Sequence, residues 1–319
     1  MSGFTAAGDD HLIRSNLWSK DLKYVLEEDM FAQKYVKMIT DFPDGDIINI
    51  PSIGAMESTD YVEDTAVQYT AMDTGNFTFT IDQYKSSATY ITEKHKQDTY
   101  YMNELVSSFV PKQSRALMEA MEAKILDVGP TAQTAASSNQ INGAAHRWVA
   151  TGTNGVMTTT DFAKAKYGLR KANVPMTNLV AIVDPSVEFE LSTLSNLTNV
   201  SNNPHWEGIV RDGMSTGMRF LMNIYGFDVY VSDFLKANTA TEQTDGAGNT
   251  SAIGAVNNLF FSAAPDVMPI IGNIRQSPKV DSEFNKDFQR EEYVTTCRYG
   301  FKLFRPENMV VVVSDVDQV

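Results

Sequence analysis

Four histidines, one cysteine and scattered carboxylates are the side chains of this chain that could do chemistry. His11, His95, His146 and His205 are far apart, and no His-x-x-x-His or Cys-x-x-Cys pair occurs, so the spacing of a zinc site is missing. Cys297 is alone and cannot close an intrachain disulfide. A reactive thiol needs an activating histidine or cation, and no histidine is near Cys297 in sequence; it reads as a small buried hydrophobe on a strand. Asp44 and Asp46 flank Gly45, but the oxygen ligands of a calcium loop are not continued, so a turn is expected. Asp9-Asp10, Glu27-Glu28 and Glu291-Glu292 are adjacent carboxylates, and neighbours on a strand point to opposite faces. An acid–base pair assembled from distant positions stays open. Gly208, Gly213 and Gly217 are followed by no Gly-Lys-Ser/Thr; neither Gly-x-Gly-x-x-Gly nor Gly-x-Ser-x-Gly is present, and turns explain these glycines better. No catalytic, metal or cofactor site is expected.

The elements around these residues belong to an ordinary soluble chain. Its 319 residues can bury a large core in one large domain or two. Hydrophobic residues make up 43% and charged residues 21%, with no apolar run of bilayer length. The start, Met1 to Asp10, is small and acidic, unlike a signal peptide, so a protein made in the cytoplasm is expected. The formal charge of −14 repels phosphates on average, while leaving room for a local basic patch.

Along the chain, residues 1–40 read as an arm with helical pieces, Leu17, Asp21, Tyr24, Val25 and Glu28 recurring at helical spacing with thin apolar coverage. Residues 40–95 read as an extended β excursion. Ile47 to Ile53 is one strand, with Pro51 marking an edge; an acidic stretch follows (Glu57, Asp60, Glu63, Asp64, Asp73), and Phe77 to Tyr84 returns with alternating apolar residues. A long two-stranded ribbon is marginal in water. Its aromatics, Tyr61, Tyr69, Phe77, Phe79, Tyr84 and Tyr90, are therefore expected to bury against a partner.

Pro111 predicts a helix start, with a shorter helix from Asp98 to Val106 before it; Leu117, Met121, Ile125 and Val128 form its apolar line, and Gly129-Pro130 predicts its end. Residues 130–156 are small and polar and read as loop. Thr159 or Thr160 predicts the cap of a helix running to about Asn173. Leu179 to Val183 is an apolar strand, and Asp184-Pro185 opens a helix to about Leu194. Ile224 to Leu235 reads as one glycine-hinged strand, and residues 236–255 as an exposed loop tip. Strands are predicted at Leu259–Ser262, Pro269–Ile274, Glu292–Phe304 and Met309–Val313.

This order resembles the Hong Kong 97 fold, in the branch of major capsid proteins of short-tailed phages. The residues that carry the resemblance are Ile50-Pro-Ser-Ile-Gly54 at the start of the extended loop, Thr78-Phe-Thr-Ile-Asp82 on its return, and the helix from Pro111 to Val128. Further matches are Ala172-Asn-Val-Pro175 before Leu179–Pro185, Tyr225–Leu235, Arg298-Tyr-Gly-Phe-Lys302, and Arg305-Pro-Glu-Asn308 before Val310–Val313. The resemblance implies an α+β fold: an N-terminal arm (1–40), an extended loop (41–95), a peripheral domain with a long spine helix (96–159 and 266–304) and an axial α/β domain (160–265 and 305–319).

It also implies a non-enzymatic shell subunit that assembles into hexamers and pentamers of an icosahedral phage head enclosing DNA, located in the virion and in the host cytoplasm during assembly. The implied partners are further copies of itself, a separate scaffolding protein, a portal protein and a cement or decoration protein. No cofactor, membrane or sequence-specific nucleic acid is implied. Trp18, Tyr24, Tyr61, Tyr69, Asp73, Phe77, Phe79, Tyr84 and Lys85 become candidate intersubunit contacts, and Gly45, Gly54 and Gly75 candidate flex points. The founding member of the fold crosslinks a loop lysine to an asparagine with help from a buried glutamate. Lys85 is the nearest lysine here, but neither other residue aligns, so no crosslink is expected. The competing readings are an encapsulin-like compartment, a soluble enzyme with a site from distant residues, and a receptor-binding or decoration protein.

Overall fold

The computed structural model describes residues 30–40, 45, 47–53, 60, 63–64, 66, 74–98, 102–133, 139–193, 220–238 and 249–315. Two sheets dominate. The first has the order β1-β12-β13-β4, built from β1 (Val36–Met38), β4 (Gln83–Thr92), β12 (Ile270–Asn285) and β13 (Arg290–Leu303). The second has the order β7-β14-β11-β8-β10-β9, built from β7 (Arg147–Val149), β8 (Leu179–Val183), β9 (Phe220–Ile224), β10 (Phe227–Val231), β11 (Val256–Ser262) and β14 (Val310–Ser314). A ribbon of β2 (Ile47–Ile53) and β3 (Thr74–Thr80) stands apart, with Ile50 opposite Phe77. A second short hairpin joins β5 (Gln140–Ile141) to β6 (Ala144–Ala145).

The six-stranded sheet is covered on both faces. Side chains alternate along a strand. Val180, Ile182, Leu259, Phe261 and Val311 therefore join a core shared with α2 (Met102–Ala132). Leu179, Ala181, Val183, Phe260, Val310 and Val312 form another core with α3 (Thr159–Lys171) and α4 (Pro185–Thr193). Two-sided burial is why Leu179 to Val183 and Val310 to Val313 are unbroken apolar runs.

Several local expectations change. Pro111 does not divide two helices: α2 runs through it, and the separate short helix is α1 (Glu93–Asp98). The ring removes one N–H donor, a penalty of about 3 kcal/mol. Burying Leu117, Met121, Ile125, Leu126 and Val128 gains roughly 1.5–3 kcal/mol per large side chain and outweighs it. Gly129 and Pro130 also stay inside α2, and the Gln133 N–H still reaches the Gly129 carbonyl at 2.9 Å. Thr158, not Thr159 or Thr160, caps α3, in a capping box with Asp161.

The supposed single strand at Ile224–Leu235 is a hairpin. Tyr225 (φ 52) and Gly226 (φ 90) are both left-handed, as a two-residue turn between right-twisted strands requires. Phe77 to Tyr84 is broken at Ile81–Asp82, where β3 leaves the ribbon and β4 enters the first sheet. Residues 140–149, read as loop, contain three short strands, and β7 pairs in parallel with β14. β12 extends eleven residues beyond the predicted Ile274 because β13 supplies its hydrogen bonds as far as Asn285. That stretch is polar and largely exposed, so no apolar periodicity announces it.

Candidate functional site

The residues singled out for chemistry do not converge. Among the described residues no group of three or more His, Cys, Asp or Glu could hold a metal ion. Cys297 is fully buried on β13, and burial pushes its thiol up, away from a reactive thiolate. His146 is buried, with Nδ1 3.1 Å from the Ala144 carbonyl oxygen, and desolvation lowers its pKa. His95 is exposed on α1; His11, His205, Asp44 and Asp46 lie outside the described residues. Glu291 and Glu292 each hold a different cation: Lys96 Nζ is 2.6 Å from Glu291, and Arg290 Nε is 2.6 Å from Glu292. Lys96 first, then the Tyr293 hydroxyl, holds the Glu291 carboxyl below its ordinary value; Arg290 does the same for Glu292.

What the fold builds instead is a set of anchored projections. The ribbon root is one. Phe79 and Ile81 are buried against Ile271. Gly300 lets β3 come close: a Cβ there would lie 2.8 Å from the Thr80 carbonyl oxygen and 2.9 Å from Ile81 Cα. Lys302 Nζ donates to the Thr78 carbonyl at 2.6 Å and lies 4.9 Å from the centre of the Phe77 ring. Phe77 meets Phe304 edge to face at 5.0 Å, and Arg275 donates to the Gly45 carbonyl at 2.9 Å.

The arm root is the second. Glu122, buried on α2, accepts the backbone N–H of Phe31 at 2.8 Å and of Ala32 at 2.7 Å. Burial raises its pKa against the pull of these two donors. Phe31 and Tyr35 stack with Tyr230, and Tyr35 with Phe261. Sequence reading missed Glu122; the signal was a carboxylate whose helical neighbours at i+3 and i+4, Ile125 and Leu126, are both apolar.

The third is the distal part of the four-stranded sheet. α2 packs on one face, where Thr295 Oγ1 hydrogen-bonds Gln113 and Phe109 meets Tyr293. The other face carries Tyr84 (64% exposed) and Tyr90 (58%). At the hairpin tip, the Arg290 guanidinium lies 4.5 Å from the Tyr90 ring centre and 4.7 Å from that of Phe288. β4 is the outermost strand of its sheet.

The candidate contacts therefore separate. Tyr84 and Lys85 stand exposed on β4. Phe77 is half-buried and Phe79 fully buried, so the apolar area of Phe79 is spent inside its own chain. Trp18, Tyr24, Tyr61, Tyr69 and Asp73, with Gly54, lie outside the described residues.

Two sheets with a β-ribbon rooted on one of them are an arrangement that solved structures share over nearly their whole length. The chain superposes on a capsid chain of cyanophage Pam1 with a TM-score of 0.70, at 12% identity and 100% coverage of both chains. A chain of the cyanophage P-SCSP1u capsid gives 0.69, at 15% identity over 94% of this chain and 93% of the other. A Mycobacterium phage Che8 chain gives 0.68, at 17% identity over 95% and 97%. No curated protein matches. The fold is α+β, of the Hong Kong 97 type. The phage capsid protein family matches residues 76–312, more than half of the chain, and the chain belongs to that family.

Proposed function

We propose that this chain is the major shell subunit of a phage head, assembling with copies of itself into hexamers and pentamers of a closed icosahedral lattice around the genome. The family match over residues 76–312 carries the reading. Two supports come from the fold: β4 ends its sheet with an outer edge that no described strand covers, and among the described residues the ribbon packs on the rest of the chain at its root. Such surfaces are finished by another chain.

In this reading the four-stranded sheet with α2 is the peripheral domain and the six-stranded sheet the axial one. The pairing of β7 with β14 favours moving residues 147–149 to the axial side of the proposed division, and that of β4 with β13 favours moving residues 83–92 to the peripheral side. Tyr84 and Lys85 contact a neighbouring copy, and the ribbon lies across it. Assembly takes place in the host cytoplasm with a separate scaffolding protein and a portal, a cement protein being a further partner. The chain has no enzymatic role. Negative-stain electron microscopy of the protein, alone and with scaffold, tests the reading. Closed shells or hexameric sheets are the expected result; a uniform monomer under both conditions would overturn it.

A further inference from the structure

Five cations among the described residues are held by carboxylates of the same chain. Lys96 pairs with Glu291, Arg115 with Glu119, Lys236 with Asp127, Lys279 with Asp281 and Arg290 with Glu292. α3 gathers four cations and contributes to none of these pairs. Lys164, Lys166, Arg170 and Lys171 occupy its outer face, while Phe162, Ala165 and Leu169 face the core. Its one acid, Asp161, is fully buried and accepts hydrogen bonds from Trp148, Thr151 and Thr158. Among the described residues none of these four cations pairs with a carboxylate. Lys166 and Arg170 are four apart, so like charges are stacked on one side of the helix, which an isolated helix would resist. In a chain with 40 acidic and 26 basic residues, this face is left for an anion from elsewhere.

Two contacts fix the cations without neutralising them. Lys164 Nζ lies 4.5 Å from the Trp148 ring centre, and Lys166 Nζ donates to the Tyr225 carbonyl at 2.6 Å. The second contact ties the β9–β10 turn to α3. Tyr167 is 58% exposed and Tyr225 53% exposed. Tyr225 holds a left-handed turn position that Asn or Gly fills with less strain. The face thus combines unneutralised cations with open aromatic rings, the combination that tracks a phosphodiester backbone and stacks on bases.

We propose that the outer face of α3, with the Tyr225 turn, binds the phosphate backbone of nucleic acid without reading its sequence, and that it lines the inside of the shell. The proposal rests on the shell reading for the source of its ligand. It also answers a problem of charge: a wall of net −14 repels a packed genome on average, and a confined basic face gives it defined points of contact.

The test uses the full chain and a short labelled DNA duplex of mixed sequence, with fluorescence anisotropy read from roughly 50 to 200 mM salt. Arg170 and Lys171 are exposed, and the comparison variant is Lys279→Ala, whose ammonium is already paired. Arg170→Glu combined with Lys171→Glu is expected to lower the slope of log affinity against log salt by about two and to weaken binding at least about tenfold at low salt. Lys279→Ala should leave the slope unchanged. Absence of salt-dependent binding by the unmodified chain, or an equal slope in the double variant, would overturn the proposal. So would a double variant that binds DNA normally but forms no shells, which would place acidic residues of another copy on α3. Electron microscopy of the same samples scores assembly separately, so failure of the shell reading is seen on its own.

Discussion

The two sheets of this protein follow different rules. In the six-stranded sheet, β8, β11 and β14 are buried at every residue, between α2 on one face and α3 and α4 on the other. Asn258, buried on β11, accepts the Asp184 N–H and donates to the Val312 carbonyl and the Ser314 hydroxyl. In the four-stranded sheet, α2 covers one face, β4 is exposed at alternate positions, and β12 is exposed over most of its distal half. The first sheet has both faces covered by its own chain. The second stops half-finished, and its aromatics, Tyr84, Tyr90 and Phe288, stand in solvent. One region makes the subunit, and the other is the surface proposed for assembly.

Substitutions at four positions test that contrast, beginning with the largest effect. Phe260 is fully buried and meets Phe162 and Phe227 edge to face at 5.1 and 5.4 Å. Phe260→Ala should destabilise the isolated chain by about 3–5 kcal/mol, read as the urea midpoint. A change below about 1 kcal/mol would mean that the six-stranded sheet is not the tight region.

Gly300→Ala comes next. The added methyl meets Thr80 and Ile81 backbone atoms that cannot rotate away. A loss of about 1–3 kcal/mol is expected, with faster proteolysis of the ribbon than of the six-stranded sheet. Equal protease sensitivity in both regions would disconnect Gly300 from the ribbon root.

Glu122 joins the two regions through the arm. Glu122→Ala should remove about 1–3 kcal/mol, because the buried N–H groups of Phe31 and Ala32 lose their acceptor. Glu122→Gln keeps a carbonyl acceptor and isolates the pH effect. The folded carboxyl has a raised pKa, so the folded chain holds this proton where the unfolded chain has released it. The contribution is fully present below the unfolded value, and it is lost as pH rises through the raised value. Urea midpoints should therefore fall as pH rises above 4.5 in the unmodified chain, and fall less in Glu122→Gln. Parallel curves would show that Glu122 does not titrate differently on folding.

The smallest effect on the isolated chain falls on the open sheet. Tyr84→Ala should change its stability by less than about 0.5 kcal/mol, since Tyr84 is mostly exposed. It should still reduce the yield of closed shells counted by electron microscopy. Unchanged yield would remove Tyr84 from the contact surface.

Legibility followed the same division. Leu179 to Val183 was readable to the residue because two-sided burial leaves an unbroken apolar run. The ribbon strands were readable from alternation and Pro51. The distal half of β12 was not, since partner hydrogen bonds rather than apolar spacing hold it as strand. α2 was misread at Pro111 because a local rule about one missing N–H does not register the length of core the helix covers. In the candidate contact set, Tyr84 is exposed and Phe79 buried in its own chain, a difference the sequence did not separate, because alternation marks which residues share a face and not what covers that face.

The class of fold thus followed from the resemblance of element order to the Hong Kong 97 fold, while residue order and local turn chemistry determined most of the main strands and helices and the lack of a recognisable catalytic motif. These depend on interactions within a few residues, which a sequence displays directly. Tertiary structure alone decided that Glu122 would hold residues 31 and 32, some ninety positions away, that Gly300 would admit Thr80, and that four cations of α3 would face outward with no carboxylate partner among the described residues. Each depends on which distant backbone comes within a few ångströms, and that is fixed by packing of the whole chain.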